Sequence, residues 1–213
     1  MIYELRMYTT KPGKMKDVVN ASATVAQKIR NGDTYGKLIG HWWSEFGKMN
    51  QYVHMWEYKD VEEMRRLRSE LAARKEWKKD FVPLVGPYIL SQEIRLLRSL
   101  SKLRKPLENN NNFYELKIIN LYVGKTGLWV KNFLSILNEI EKDSMNIGLW
   151  QTELSNPNEL ICIWSHSSLN KMQKFWENLE SSKKWKNFME FQEHSVKDEQ
   201  SIILRPSSCS PLQ

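Results

Sequence analysis

One histidine, one carboxylate and one arginine are the residues of this chain whose pattern could support chemistry. Glu4 and Arg6 alternate along the first predicted strand, and His54 lies in a second one. A histidine beside a carboxylate can act as a general base near neutral pH. Buried ion-pair networks have the same composition. We therefore interpret His54, Glu4 and Arg6 first as a hydrogen-bonded structural cluster, with an acid–base site as the alternative.

Other catalytic and metal-binding patterns do not occur in the sequence. The four histidines and two cysteines (His41, His54, His166, His194, Cys162 and Cys209) have no H-x-H, C-x-x-C or H-x-x-x-H spacing. We therefore expect no metal site. There is no glycine-rich phosphate loop and no nucleophile elbow, and we expect no cofactor. His41 and His166 are interpreted as structural or exposed residues, and His194 as exposed.

The chain is basic, with a formal charge of +7 and a pI near 9.3. The charge concentrates in one predicted helix, at Arg65, Arg66, Arg68, Arg74, Lys75, Lys78 and Lys79. Because acidic residues alternate with them, a solvated helix face is the favoured interpretation. Peripheral contact with an anionic membrane or an acidic protein is left open. No nucleic-acid motif is present, and no nucleic-acid partner is expected.

Cysteine content and the start of the chain bear on location. Two cysteines cannot build a disulfide framework, which fits a reducing compartment. No apolar run approaches the ~20 residues that cross a bilayer, so no transmembrane segment is expected. The first residues already resemble a strand and lack signal-peptide or transit-peptide features. We expect either a cytoplasmic protein or a chain from which a leader is missing.

The elements that must position these residues occur twice. Tyr3-Glu4-Leu5-Arg6 recurs as Tyr114-Glu115-Leu116-Lys117. Ile39-Gly40-His41-Trp42 recurs as Ile147-Gly148-Leu149-Trp150, and Trp56 matches Trp164 at the same offset along the chain. The sequence predicts a first repeat over 1–98, a linker over 99–112 that contains four asparagines, a second repeat over 113–205 and a tail over 206–213.

Each copy has the predicted order strand, helix, strand, strand, helix, strand. In the first copy, strands over 2–9, 37–46, 51–59 and 88–97 surround one helix before Asn31-Gly32 and another capped by Asp60. This order predicts an α+β fold of two tandem ferredoxin-like βαββαβ repeats. Each sheet should carry both helices on one face and leave the other bare.

Strand alternation assigns side chains to these faces. We place Tyr3, Leu5 and Met7 under the helices. Glu4, Arg6, Tyr8, His54, Trp56 and Tyr58 should then lie on the bare face, with Trp164 and His166 in the second copy. Packing the two bare faces together would form a pseudo-dimeric α/β barrel with a partly polar lumen. Trp56 and Trp164 are expected between the sheets, His54 within reach of Glu4 or Arg6, and Trp56, Tyr58, Tyr8, Trp164 and His166 as binding candidates.

Several segments together resemble the NIPSNAP family. They are Tyr3-Glu4-Leu5-Arg6, Lys11-Pro12-Gly13-Lys14-Met15, His54-Met55-Trp56-Glu57-Tyr58, Lys75-Glu76-Trp77 and Ser101-Lys102-Leu103. The resemblance implies the dimeric α/β-barrel version of the fold, a mostly mitochondrial or cytosolic location, and roles in protein interaction, vesicle transport and mitochondrial quality control. It implies no family-wide catalytic residues. Cys162 stands where the second copy would have the histidine of the motif.

Two functions follow from this sequence. The first is a non-enzymatic interaction or scaffold protein with protein partners, and association with a second copy of the chain is left open. The alternative is a small-molecule binder or enzyme that uses the polar lumen around His54. A pocket of a few hundred cubic ångströms reached by His54, Glu4 and Arg6 would favour the alternative, and a lumen filled by Trp and Leu would favour the first.

Overall fold

The computed structural model describes residues 1–106, 112–141 and 144–213. The chain divides into two compact units, one of residues 1–98 with 204–213 and one of residues 99–203. Most of the predicted linker, residues 107–111 with three of its asparagines, lies outside the described residues. The first part of the linker packs with the second unit, because the Leu100 and Arg104 amides donate to the carbonyls of Leu149 and Ile147 at 2.8 and 2.9 Å.

The first unit has the predicted βαββαβ order. Its elements are β1 (Ile2–Thr10), α1 (Met15–Ala21), a π-helical turn (Ser22–Ala26), α2 (Gln27–Arg30), a 3-10 turn (Gly32–Tyr35), β2 (Lys37–Phe46), β3 (Gln51–Tyr58), α3 (Val61–Ala73), a π-helical turn (Trp77–Phe81), α4 (Val82–Val85), a 3-10 turn (Gly86–Tyr88) and β4 (Ile89–Ser99). The sheet has the antiparallel order β4-β1-β3-β2. The predicted α+β class is confirmed for this unit.

The second unit repeats the order with one difference. Its elements are β5 (Phe113–Leu121), α5 (Thr126–Ile140), β6 (Ser144–Thr152), β7 (Glu159–His166), α6 (Leu169–Ser181), α7 (Lys183–Glu193) and β8 (Val196–Pro206). The predicted single second helix is two helices, because Ser182 has extended backbone and its side chain caps α7 at the Trp185 amide. The sheet order is β6-β7-β5-β8.

Local sequence signals set the helix ends. The Glu63 amide donates to Asp60 Oδ1 at 2.8 Å, and the Lys59 amide donates to Glu63 Oε2 at 2.7 Å. This reciprocal capping confirms the predicted start of α3. Asn31 has a left-handed backbone with φ of 53° and ends α2 as predicted.

The repeated Gly-x-Trp has a packing reason. A Cβ atom on Gly40 would lie 1.8 Å from the Trp42 ring, and one on Gly148 would lie 2.4 Å from the Trp150 ring. Each indole therefore lies across its own strand, where only glycine leaves room. In both sheets, the pairing with the neighbouring strand, β3 or β7, shifts register just before the glycine. The pattern marks a shared element of the fold.

The structure corrects the face assignment of the strands. Trp56 packs against Leu67 of α3, and Tyr52 packs against Val18 and Val19 of the first helix. The face that carries Glu4, Arg6, His54 and Trp56 is therefore covered by the helices of its own unit. Alternation separates two faces, but both are apolar enough here to be buried, so it cannot show which one the helices cover.

The same correction applies to the second unit. The Trp164 ring contacts the rings of Phe133 in α5 and Phe175 in α6, at 6.3 and 5.0 Å between centroids. The prediction that Trp56 and Trp164 lie between the two sheets is therefore wrong. Both indoles pack between a sheet and its own helices, and so do the predicted lumen residues.

Candidate functional site

A pocket of about 120 Å³ lies between the sheet and the helices of the first unit. Arg6, Tyr8, His54 and Trp56, which the sequence had singled out, line it. So do Val18, Ser22, Ala26, Arg30, Tyr52, Arg68, Trp77, Phe81, Val85 and Ile89. A cavity of about 150 Å³ holds a benzene molecule, so this pocket is the size of one small organic ligand.

Glu4 holds two of the three arginines. Arg6 donates from Nε and Nη2 to Glu4 Oε1 at 2.8 and 2.7 Å, and Arg68 Nη2 donates to Glu4 Oε2. Burial by itself raises the pKa of Glu4, but the charges of Arg68 and Arg6 outweigh it and lower the pKa below its ordinary value. Glu4 is therefore a carboxylate at neutral pH, and its single charge serves two guanidinium groups.

Arg30, the last residue of α2, has no carboxylate partner among the described residues. It is only 3% exposed, and its Nη1 donates to the Tyr35 carbonyl at 3.2 Å. The guanidinium carbon lies 3.8 Å from the centre of the Trp56 ring and 5.5 Å from that of Trp77. Burial, reinforced by the charge of Arg68, lowers the pKa of Arg30 to about 10. The group therefore remains a cation at neutral pH.

The surroundings of Arg30 leave its charge uncompensated. Stacking on a desolvated aromatic ring returns about 2 kcal/mol, whereas removing an ion from water costs several kcal/mol. Three guanidinium groups and one carboxylate give this cluster a net charge of +2, and Arg30 is the member that no carboxylate contacts. Arg30 was not among the predicted site residues, because it follows the apolar stripe of the first helix without any pattern of its own.

His54 lies on the pocket wall as a neutral imidazole. Burial lowers the pKa of His54 well below its ordinary value, and the charge of Arg68 adds to the effect. Trp56 Nε1 donates to His54 Nδ1 at 2.5 Å, so the ring proton is on Nε2. The expected contact is wrong, because among the described residues His54 makes no hydrogen bond to Glu4 or Arg6. Its Nε2–H is a donor available to a ligand.

His41 centres a second buried group, which the sequence analysis did not predict. Its Nε2 lies 3.1 Å from both Ser22 Oγ and Tyr52 Oη, and its Nδ1 lies 2.7 Å from Ser207 Oγ. Ser22 and Tyr52 are also in direct contact through their hydroxyls. Burial and the charge of Arg30 lower the pKa of His41 to about 3, so this imidazole is neutral as well.

The matching charges of the second unit are balanced. Glu115, the counterpart of Glu4, accepts from Ser201 Oγ at 2.6 Å and from Trp176 Nε1 at 3.1 Å. Lys117 Nζ lies 2.5 Å from Glu199 and 3.7 Å from Glu115. A lysine between two carboxylates carries no excess positive charge. This unit therefore does not repeat the cationic site of the first.

The remaining candidates of the second unit are also structural. Cys162 replaces His54, and burial raises the pKa of its thiol to about 12, which makes it unreactive. His166 is buried, with Nδ1 2.7 Å from Ser144 Oγ. Trp164 borders a pocket of about 220 Å³ whose lining includes four indole and two phenyl rings beside Lys117, Glu180 and Glu199. Two-site symmetric chemistry therefore has no support.

Metal ligation and membrane crossing find no support in the described residues. Within residues 1–106, 112–141 and 144–213, no three histidine, cysteine or acidic side chains come together as metal ligands. No helix in the described part of the chain is long and apolar enough to cross a bilayer.

Known proteins resemble this chain over most of its length. Human NipSnap homolog 3B is 26% identical over 216 residues, which cover 99% of this chain and 85% of the relative. A proposed monooxygenase of Fusobacterium nucleatum superposes with a TM-score of 0.69 at 12% identity, covering 96% of this chain and 91% of the other. One of Lactobacillus acidophilus gives 0.65 at 14% identity, covering 100% and 98%.

The two solved structures share only their fold with this chain, since so low a sequence identity carries no information about function. The model of the NIPSNAP family matches residues 3–103 and 114–211, one match for each repeat. These two ranges contain the strands and helices that build both units. The chain belongs to the NIPSNAP family.

Proposed function

We propose that this NIPSNAP protein binds a small organic anion in the pocket of its first unit. The observation that carries the proposal is Arg30, a buried cation that no carboxylate of the described residues neutralises. Burying an unpaired charge is costly, and proteins that keep one usually supply it with a partner. A ligand carboxylate at Arg30 would supply that partner from outside the chain.

The chemistry of the pocket favours a carboxylate with an apolar body. Hydrogen bonds between a guanidinium and a carboxylate contribute about 1.5–3 kcal/mol each, and a planar fork can form two of them. Val18, Phe81 and Val85 provide apolar walls. With about 120 Å³ available, the ligand is a small aryl or branched aliphatic acid. His54 Nε2–H offers one further donor.

Binding of matched acids and amides tests this proposal. Benzoate, phenylacetate and isovalerate are each titrated beside the corresponding neutral amide, by calorimetry and by thermal shift. We expect at least one acid to bind at least tenfold more tightly than its amide. Arg30→Met should remove this difference, and the control Arg66→Met, on the exposed face of α3, should preserve it. Equal binding of acid and amide, or unchanged binding in Arg30→Met, would contradict the proposal.

Protein binding is a second candidate, suggested by the family resemblance and by one surface. Lys75, Lys78 and Lys79 are exposed and have no ion-pair partner among the described residues. This surface suits an acidic protein partner, and a mitochondrial location is proposed with it. The test is proximity labelling with a Lys75→Gln/Lys78→Gln/Lys79→Gln variant in cells, with Lys16→Gln/Lys28→Gln as the control. An unchanged set of labelled proteins would count against this surface.

A further inference from the structure

We infer that the ligand of the first unit is a hydroxylated organic acid, whose hydroxyl group binds Ser22 and Tyr52 at the end of the pocket away from Arg30. This inference rests on the proposed function and narrows its ligand class. It concerns the hydroxyls of Ser22 and Tyr52, which are not needed to bind the acid group of the ligand.

Ser22 and Tyr52 are parts of the pocket wall that continue into a buried hydrogen-bond network. Ser22 begins the π-helical turn, a rare helix form that is frequent at functional sites. Both hydroxyls lie 3.1 Å from His41 Nε2, which bonds one or the other according to its tautomer, and His41 Nδ1 bonds to Ser207 Oγ. A set of buried polar side chains that all hold partners has a fixed arrangement. The pocket therefore presents two hydroxyls at a defined place.

The second unit shows that the fold does not need this network. The repeat matches Ser22, His41 and Tyr52 of the first copy with Phe133, Leu149 and Leu160 of the second. These three counterparts all belong to the apolar core of that unit. The same strands and helices therefore form with a fully apolar set at these places. Ser22, His41 and Tyr52 are therefore not explained by the needs of the fold alone. Binding a polar group of a ligand would explain them.

Counting protons identifies the kind of polar group. If His41 Nε2 accepts from Tyr52, Ser22 donates to Tyr52 and both oxygens keep an open acceptor position. If Nε2 carries the proton and donates to Ser22, the Tyr52 hydroxyl has a proton to give. A ligand hydroxyl both donates and accepts, so it fits either tautomer. A second carboxylate would lack the proton that the first arrangement requires.

The spacing of the two ends suits one small ring. Ser22 and Arg30 are eight residues apart, or about 12 Å along the helix axis. Tyr52 and Trp56 are four residues apart on β3, so their backbones are about 13 Å apart along the strand. Arg30, Ser22 and Tyr52 line one pocket of about 120 Å³, so the guanidinium and the hydroxyls are separated by no more than the length of that pocket. A benzene ring with an acid and a hydroxyl at opposite positions spans such a gap.

The test compares 4-hydroxybenzoate with 4-methylbenzoate, which has nearly the same size. We expect the full chain to bind 4-hydroxybenzoate at least tenfold more tightly by calorimetry. Tyr52→Phe and Ser22→Ala should each bring this ratio close to one while 4-methylbenzoate still binds. The ratio is taken within one protein, so a general loss of stability in a variant cancels. Tyr122→Phe, an exposed tyrosine of the second unit, is the control and should keep the wild-type ratio.

The outcomes separate this inference from the proposed function. If both acids bind the wild type equally, or if Tyr52→Phe and Ser22→Ala keep the preference, the hydroxyl inference is overturned and the acid site stands. If neither these acids nor the acids of the earlier panel bind, the proposed function fails, and this inference fails with it. A preference that disappears in both variants supports the inference.

Discussion

The guanidinium of Arg30 stacks on the indole of Trp56, and that indole donates its only N–H to His54 Nδ1. One ring thus positions a cation on its face and fixes the tautomer of an imidazole at its edge. Both groups then present their remaining donors to the same pocket. The third strand supplies Trp56 and His54 at neighbouring positions of one face, and α2 brings Arg30 over them.

Arg30 should limit the stability of the ligand-free protein. Replacing buried charged groups with apolar residues of similar size is often neutral or stabilising by about 1–4 kcal/mol. We therefore expect Arg30→Met to unfold at the same or a higher urea concentration, with a gain in unfolding free energy of up to about 1 kcal/mol. Urea denaturation followed by tryptophan fluorescence measures this. A loss as large as that of breaking a buried ion pair, about 3 kcal/mol or more, would show that Arg30 is a structural residue.

Glu4 should behave in the opposite way. Its replacement by Gln leaves Arg6 and Arg68 without a carboxylate, and breaking a buried pair costs about 3–5 kcal/mol. Glu70→Gln provides the matched control, since the pair of Glu70 with Arg66 is exposed and such pairs contribute about 0–1 kcal/mol. Equilibrium unfolding at neutral pH compares the two variants. Equal small losses would mean that the Glu4 cluster is effectively solvated.

Stability should fall between pH 7 and pH 5 because two histidines are buried as neutral groups. The pKa of His41 is lowered to about 3 and that of His54 lies well below its ordinary value, so only the unfolded chain binds protons in this range. Stability then decreases as the pH falls, and His41 contributes about 2 kcal/mol of the decrease over this range. His54 adds to the decrease in the same direction.

Variants separate the histidine contributions to this pH dependence. His41→Leu copies Leu149 of the second unit and should remove about 2 kcal/mol of the loss between pH 7 and pH 5. His194→Asn, at an exposed position, should leave the loss unchanged. Urea unfolding at several pH values gives both results. A wild-type stability that is flat over this range would show that the two imidazoles can take up protons in the folded state.

Gly40 should tolerate no side chain. Gly40→Ala places a methyl group into the fully buried Trp42 ring, and overpacking of this kind costs about 1–3 kcal/mol or more. Gly127→Ala is the control, since Gly127 lies in α5 with nothing within 4 Å of an added Cβ. That change should stabilise the protein by about 0.5–1 kcal/mol. Similar midpoints for the two variants in thermal unfolding would contradict the close approach.

The repeat made most of the fold predictable from the sequence. The recurrence of the strand motifs located the strands of both copies, and turn and cap signals at Asn31 and Asp60 set helix ends. The orientation of the sheet was not predictable in this way. A strand with Tyr3, Leu5 and Met7 on one face and Tyr8 nearby on the other has two faces fit for burial, and alternation does not rank them.

The site was only partly predictable. Glu4, Arg6, Tyr8, His54 and Trp56 were found because charged and aromatic residues alternate on two strands. Arg30 comes from a helix end and acquires its role through three-dimensional packing. The polar network did leave a signal that comparison of the repeats could have detected: Ser22 against Phe133, His41 against Leu149 and Tyr52 against Leu160. Polar residues against apolar ones at matched positions point to specialised use of one copy.

The last ten residues of the chain belong to the first unit, and this has a consequence for synthesis. The Ser207 amide donates to the His41 carbonyl at 2.9 Å, and the His41 amide donates to Ser210 Oγ at 3.1 Å. On the ribosome, the first repeat leaves the exit tunnel while these partners are not yet made. Its hydrogen-bond network around His41 stays incomplete until residues 207–210 have been made. Chaperone demand during biogenesis should therefore concentrate on residues 1–98.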